Sequence, residues 1–393
     1  MSTPVLGLRG TGQFTADFRP TNYRELFTLL EPNGDAPLNA LLSMSQSAET
    51  DDPKFNHFRD ELPSRVLTVD AAGALAGDTA IPVVANNDVN FVVPNVILVN
   101  TRTNEVIRAT ANGSAGSLPT VVRGAAGSTA AAMNSGDILV IAGYADQEGA
   151  GKPNAVSFDP TTDYNYTQIF KTGVSITDTM KNTYLRTGDK ESEMVTKALK
   201  LHMHDIERAF WFGRRGEENG TTAQPRRYTG GLFSMIPNVV DAASGFATAN
   251  TITENEFDKT LIESVFGWGS KQKVAFAGPR VISNLQKVAK ARWQPTAVDG
   301  AYGVSLTRYQ TFAGDLLVHL HPMFRQIPGY DSTMVLLDLP YLNYRYMKGR
   351  DTQLKREVQA KDTDGAEHFY QTECGLEMTQ GKVHTIIKNW QAA

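Results

Sequence analysis

Cysteine is almost missing: Cys374 is the one thiol in 393 residues. No internal disulfide can form, and synthesis in a reducing compartment is expected. Long apolar runs are missing too. No stretch of about 18 apolar residues occurs, and the opening MSTPVLGLRGTGQF has no charged segment followed by an apolar one. Neither a membrane span nor an export signal is expected. Charge is sparse, at 20% of residues, with 42 acids against 38 bases for a net −4. Nothing global argues for a nucleic-acid reader or a polybasic membrane binder.

Catalytic signatures are equally scarce. There is no G-x-S-x-G, no H-E-x-x-H and no Rossmann glycine fingerprint after a first strand. GRRGEENG (213–220) lacks the GK[ST] step of a phosphate loop and follows a helix C-terminus, where the dipole repels phosphate. It reads as a helix cap and turn. Cys374 lacks a catalytic context, and the carboxylate pairs Asp51–Asp52 and Glu217–Glu218 sit in polar loops. The expectation is no catalytic residue, no cofactor and no enzyme.

What is present is glycine (33), proline (18) and a succession of segments with different textures. The length calls for more than one core. Residues 1–57 read as an arm with one helical patch, Tyr23, Leu26, Phe27 and Leu30 behind a Thr21/Asn22 cap, ended by Pro32. From 65 to 143, short β-branched runs (RVLTV, IPVV, FVVPNVILV, EVIRATA, PTVVRG, DILVIAG) alternate with Gly, Asn and Pro, a small all-β module. Within it NTRTNE closes a hairpin. SFDPTTDYNYTQIFKTGVSITDTM reads as a two-stranded ribbon hinged at Gly173. A long amphipathic helix follows, capped by Asp189 or Thr187, with Val195, Ala198, Leu199, Ile206, Ala209 and Phe210 in one stripe. Beyond Gly231 the sequence predicts alternating strands and helices: a strand at LFSMIP, a helix in TENEFDKTLIESVFGWG, a buried strand KVAFAG, a helix opened by Pro279, then extended runs GDLLVHLHP and STMVLLDLPYLNYRYM. Three strand-like runs close the chain.

Two groups of side chains invite a site. His319 and His321 flank Leu320 in a strand-like run, which places both rings on one face in a chelating arrangement. No cysteine or carboxylate motif beside them completes a ligand set, so structural histidines and no metal are expected. His202 and His204 lie on opposite sides of their helix. The one local charge excess is RYMKGRDTQLKREVQAK, carrying Arg345, Lys348, Arg350, Lys355, Arg356 and Lys361. It reads as a solvated strand face or as a surface facing a polyanion without sequence recognition.

The order of elements carries a resemblance. The helix ending FWFGRRGEENGTTAQPRRYTGGLFSMIPN, the step KVAFAGPRVISNLQKVAK and the tail EHFYQTECGLEMTQGKVHTIIK together resemble the major capsid proteins of tailed bacteriophages, the Hong Kong 97 type fold. The resemblance covers most of residues 158–393 in the order of elements. It implies an α+β chain with an N-terminal arm (1–57), an extended loop (58–187) holding the β module (about 65–143), a spine helix in the P-domain (188–227), an A-domain (228–345) and closing P-domain strands (346–393). The module departs from the minimal pattern and looks like an insertion. The resemblance further implies hexamers and pentamers of an icosahedral head around double-stranded DNA, assembled in the host bacterial cytoplasm. Expected partners are copies of itself, a portal, a separate scaffolding protein, a decoration protein and packaged DNA, with no membrane. An encapsulin-like cargo shell shares the fold; a β-rich carbohydrate-binding or hydrolytic protein is the reading from another class.

Overall fold

The computed structural model describes residues 37, 38, 42, 47–152, 155–183, 189–219, 224–288, 296–298 and 306–393; the helical patch at Tyr23–Leu30 lies outside them. The chain divides into two compact units, Phe58–Thr162 and a body of Met1–His57 with Asp163–Ala393. It passes from one to the other within the strands Lys54–Arg59 and Thr161–Tyr166, which pair with each other.

In the Phe58–Thr162 unit, five antiparallel strands lie in the order Val66–Thr68, Ile138–Tyr144, Val96–Asn100, Val106–Ala109, Val121–Val122. Period-two alternation decides which face is inside. Val96, Leu98 and Asn100 are buried while Ile97 and Val99 are half-buried. Leu67, Leu98, Ile107 and Leu139 fill the same core. NTRTNE closes the hairpin between the third and fourth strands, with Asn104 in the left-handed region at φ 54°. Two arginines lock this unit. Arg123 donates to both oxygens of the fully buried Glu105 at 2.7 and 2.9 Å, and Arg102 grips Asp137 with two 2.7 Å bonds.

The body is built around the helix Lys190–Phe212, capped by Asp189, whose side chain accepts from the Glu191 N–H at 3.0 Å. On one side lies a sheet in the order Ser47–Thr50, Leu342–Met347, Ala366–Met378, Gln168–Ile176, with Gln353–Lys355 also pairing with Ala366–Met378. The second sheet has seven strands: Val239–Asp241, Thr385–Lys388, Met334–Leu337, Gln272–Ala277, Asp315–Leu320, Leu306–Gln310 and Thr296–Val298. One core joins them, with Ile206, Phe210 and Trp211 of the helix packed among Tyr344, Cys374 and Leu376 of the first sheet and Phe276, Val335 and Leu337 of the second. Among the described residues no helix is long and apolar enough to cross a membrane.

Four expectations change here. Gly173 is no hinge: Gln168–Ile176 is one strand paired throughout with Ala366–Met378, and Gly173 sits opposite Phe369. The Thr161–Tyr166 run pairs with Lys54–Arg59 instead. LFSM forms a short helix, Leu232–Met235, because its first turn closes from Met235 N–H to the Gly231 carbonyl. STMVLLDLPYLNYRYM is two strands in different sheets. Asp338 breaks it by accepting the N–H and hydroxyl of Ser270 at 2.7 and 2.8 Å, and Pro340 lies in the turn Leu339–Tyr341. Finally, 346–393 does not close a single sheet, since Thr385–Lys388 returns to the seven-stranded one. The expected boundary at 345 likewise falls inside the strand Leu342–Met347. The two crossings, at 338–341 and 379–384, are stapled: Asp338 N–H donates to His384 Nδ1 at 3.1 Å, and Thr379 N–H to the Tyr341 carbonyl at 3.0 Å.

Candidate polyanion-facing surface

The strand Ala366–Met378 sorts its residues by parity. Tyr370, Thr372, Cys374, Leu376 and Met378 pack toward the long helix and the shared core. Phe369, Gln371, Glu373, Gly375 and Glu377 therefore line the opposite face. Gly375 is needed there, because a Cβ would meet the Tyr166 carbonyl at 2.5 Å and the Phe55 ring at 2.9 Å.

This parity divides the six expected basic residues. Arg345 donates to both oxygens of Glu377 at 2.9 and 3.1 Å, and Arg350 pairs with Glu373 at 3.0 Å. Both carboxylates are buried. These two arginines compensate internal acids, although Arg350 itself is exposed. Lys348, Lys355, Arg356 and Lys361 are exposed, and none of the four forms an ion pair among the described residues. Lys355 lies over the Phe369 ring at 5.6 Å.

The other candidates are structural. His321 lies just past the strand, where its Nδ1 accepts the Met323 N–H at 3.2 Å and caps the helix Pro322–Gln326. An imidazole accepting at Nδ1 is neutral with its proton on Nε2, and that Nε2–H donates to Glu207 at 2.9 Å. Both ring nitrogens are occupied, so His319 and His321 do not form a chelate. No group of three or more potential ligands is placed to hold a metal ion among the described residues. His202 is clamped between the hydroxyls of Thr172 and Thr372 at 3.0 and 2.7 Å, and burial lowers its pKa. Burial pushes the Cys374 thiol well above its ordinary range.

Two buried charged groups carry no signature in the sequence. Glu207 accepts from the Leu38 N–H at 3.1 Å, Trp211 Nε1 at 3.0 Å and His321, tying Leu38 to the helix and to the end of a strand of the second sheet. Lys273 donates to the carbonyls of Val265, Trp268 and Val383 at 2.6, 2.9 and 2.5 Å. Burial lowers its pKa, partly offset by Asp338. The readable sign was an ionisable residue inside an apolar run, Glu207 beside Ile206 and Lys273 before VAFA.

The chain is similar to known proteins. The sequence model of the family described as SU10 major capsid protein matches residues 10–391. The chain belongs to that family. Along 339 residues it is 26% identical to the major capsid protein of Pseudomonas phage PaMx41, covering 82% of this chain and 78% of that one. Among solved structures it is similar to that of Mycobacterium phage Cain (TM-score 0.47, 10% identity, 93% and 90% covered) and to an encapsulin complex of Synechococcus elongatus PCC 7942 (TM-score 0.42, 13% identity, 61% and 78% covered). As an SU10-family major capsid protein the chain is a structural subunit of a phage icosahedral shell, located in the virion capsid, and its helices and strands make it an α+β chain.

Proposed function

We propose that the chain forms the hexamers and pentamers of a phage head that encloses double-stranded DNA, assembled in the host bacterial cytoplasm. In this reading the long helix with the five-stranded sheet is the P-domain and the seven-stranded sheet, with its returning strand Thr385–Lys388, is the A-domain. The Phe58–Thr162 unit is the extended loop, enlarged into a module for contacts between capsomers or for the outer surface. A portal and a decoration protein are further partners of the closed shell.

The DNA-facing surface consists of Lys348, Lys355, Arg356 and Lys361, and the observation that carries it is four exposed cations without carboxylate partners. Such cations bind phosphates by counterion release, so the contact weakens steeply with salt. Particles carrying Lys355→Gln with Arg356→Gln are expected to lose genome at lower salt than the wild type. Unchanged retention at every salt concentration refutes the assignment. The module is tested separately by replacing 60–160 with an Asn-Gly turn between the paired strands Lys54–Arg59 and Thr161–Tyr166. Particles of unchanged size and heat resistance would refute its contact role.

A further inference from the structure

On the face of the five-stranded sheet turned away from the long helix, Phe369 lies in a cross-strand row between Gly173 and Lys355. Lys355 approaches its ring at 5.6 Å, and Lys171, from the other neighbouring strand, at 5.7 Å. Gly173 is exposed and a Cβ there would meet nothing within 4 Å, so the face beside the ring is open. Both lysines are exposed, and neither makes a hydrogen bond or ion pair among the described residues. Glu373, on the same face, is taken by Arg350. Glu367, one row away opposite Ser175, pairs with neither lysine.

Two ammonium groups gathered on one aromatic ring repel each other. The ring's negative face offsets part of that repulsion, and an anion between the two ammoniums offsets the remainder. We propose that Lys171, Phe369 and Lys355 form a phosphate-binding clamp for the backbone of the packaged DNA. Consecutive phosphates of one strand advance about 3.4 Å along the duplex axis, so a few nucleotides span the clamp. Phe369 holds the two cations apart and in place; sequence readout has no part in it. The clamp rests on the reading of this face as DNA-facing, and adds Lys171, which lies outside the basic run.

The test is equilibrium binding of short duplex DNA to the unassembled full-length chain across a salt series, with shell formation followed in parallel. Each phosphate contact contributes about −0.9 to the slope of log K against log salt. Lys171→Gln with Lys355→Gln is expected to make the slope about two units shallower while shells still form. Phe369→Leu is expected to weaken binding a few-fold with the slope kept, and Lys171→Arg with Lys355→Arg to bind like the wild type. A slope unchanged by the double glutamine variant, but shallower in Lys348→Gln/Arg356→Gln/Lys361→Gln, overturns the clamp and leaves the DNA-facing reading standing. A slope unchanged in both sets overturns both. Shell formation lost with the glutamines and restored by the arginines would make the face a contact with a second copy, which also overturns the clamp.

Discussion

The Phe58–Thr162 unit and the body solve the problem of buried charge differently. In the smaller unit the buried carboxylates are answered by arginines close in sequence, Glu105 by Arg123 at a separation of 18 residues and Asp137 by Arg102 at 35. The body pairs Glu373 with Arg350 and Glu377 with Arg345 in the same way, but adds buried polar contacts that reach across the chain: Glu207 to Leu38 over 169 residues, Lys273 to Val383 over 110, His202 to Thr372 over 170. Local pairing costs little loop-closure entropy, so the smaller unit can form from its own contacts, whereas the body needs both ends of its sequence in place. A unit closed by local contacts tolerates change better than one stitched over long range.

Tryptophan makes the contrast measurable, because Trp211, Trp268, Trp293 and Trp390 all belong to the body and none to Phe58–Thr162. The largest effect is expected from Glu207→Leu. It leaves the buried donors of Leu38, Trp211 and His321 unsatisfied, costing about 5 kcal/mol, and should lower the body's transition in tryptophan fluorescence. Arg123→Ala strands the Glu105 carboxylate, a loss of about 4 kcal/mol. It should produce an early transition in far-UV circular dichroism while tryptophan fluorescence melts at the wild-type temperature. A single shared transition would show that the units do not unfold separately.

Acid sharpens the same comparison. Burial, with the nearby Lys273 charge, holds His384 down to about 3. A histidine depressed in the folded state stabilises fully above its unfolded value near 6.5, and that stability is lost as pH falls from there toward the folded value. Between pH 7 and pH 5 the body therefore loses about 2 kcal/mol through this residue. The smaller unit has no histidine, and its Glu105 and Asp137 are held below ordinary carboxylate values, Asp137 chiefly by its bonds from Arg102 and Glu105 by Arg123 and backbone donors against its own burial. Their contribution is present above the unfolded values near 4 and is lost only below them. Melting at pH 7 and pH 5 should move the tryptophan signal alone, and His384→Gln should flatten that shift. The smallest effect is expected for Glu193→Gln. It removes the half-buried pairs to Lys190 and Lys197 within the long helix, worth about 0.3 kcal/mol, within the error of a melting curve.

Much of this architecture was legible where a pattern repeats. The stripe Ala198, Ile206 and Phe210 marked the long helix, and the β-branched runs marked the strands of Phe58–Thr162. Register was not legible. Whether Arg345 faces solvent or Glu377 depends on the pairing of strands 32 residues apart, and a one-residue slip would reverse it. For the same reason the basic run promised six free surface charges where four stand without an ion pair, and missed Lys171, which only strand pairing brings to Phe369. Sheet membership was hidden as well. Nothing in LLDLPYL marks the change from one sheet to the other, because Asp338 is held by Ser270 and His384, both remote in sequence.

The strand Thr385–Lys388 lies inside the seven-stranded sheet, between Val239–Asp241 and Met334–Leu337, and Trp390 behind it packs on Phe257 at 5.0 Å. That sheet stays split until the ribosome has released residue 388. A chain abandoned earlier in translation exposes the Val239–Asp241 and Met334–Leu337 edges where a finished one has a closed surface. Position in the sheet thus makes the packing of two earlier strands wait on a late one.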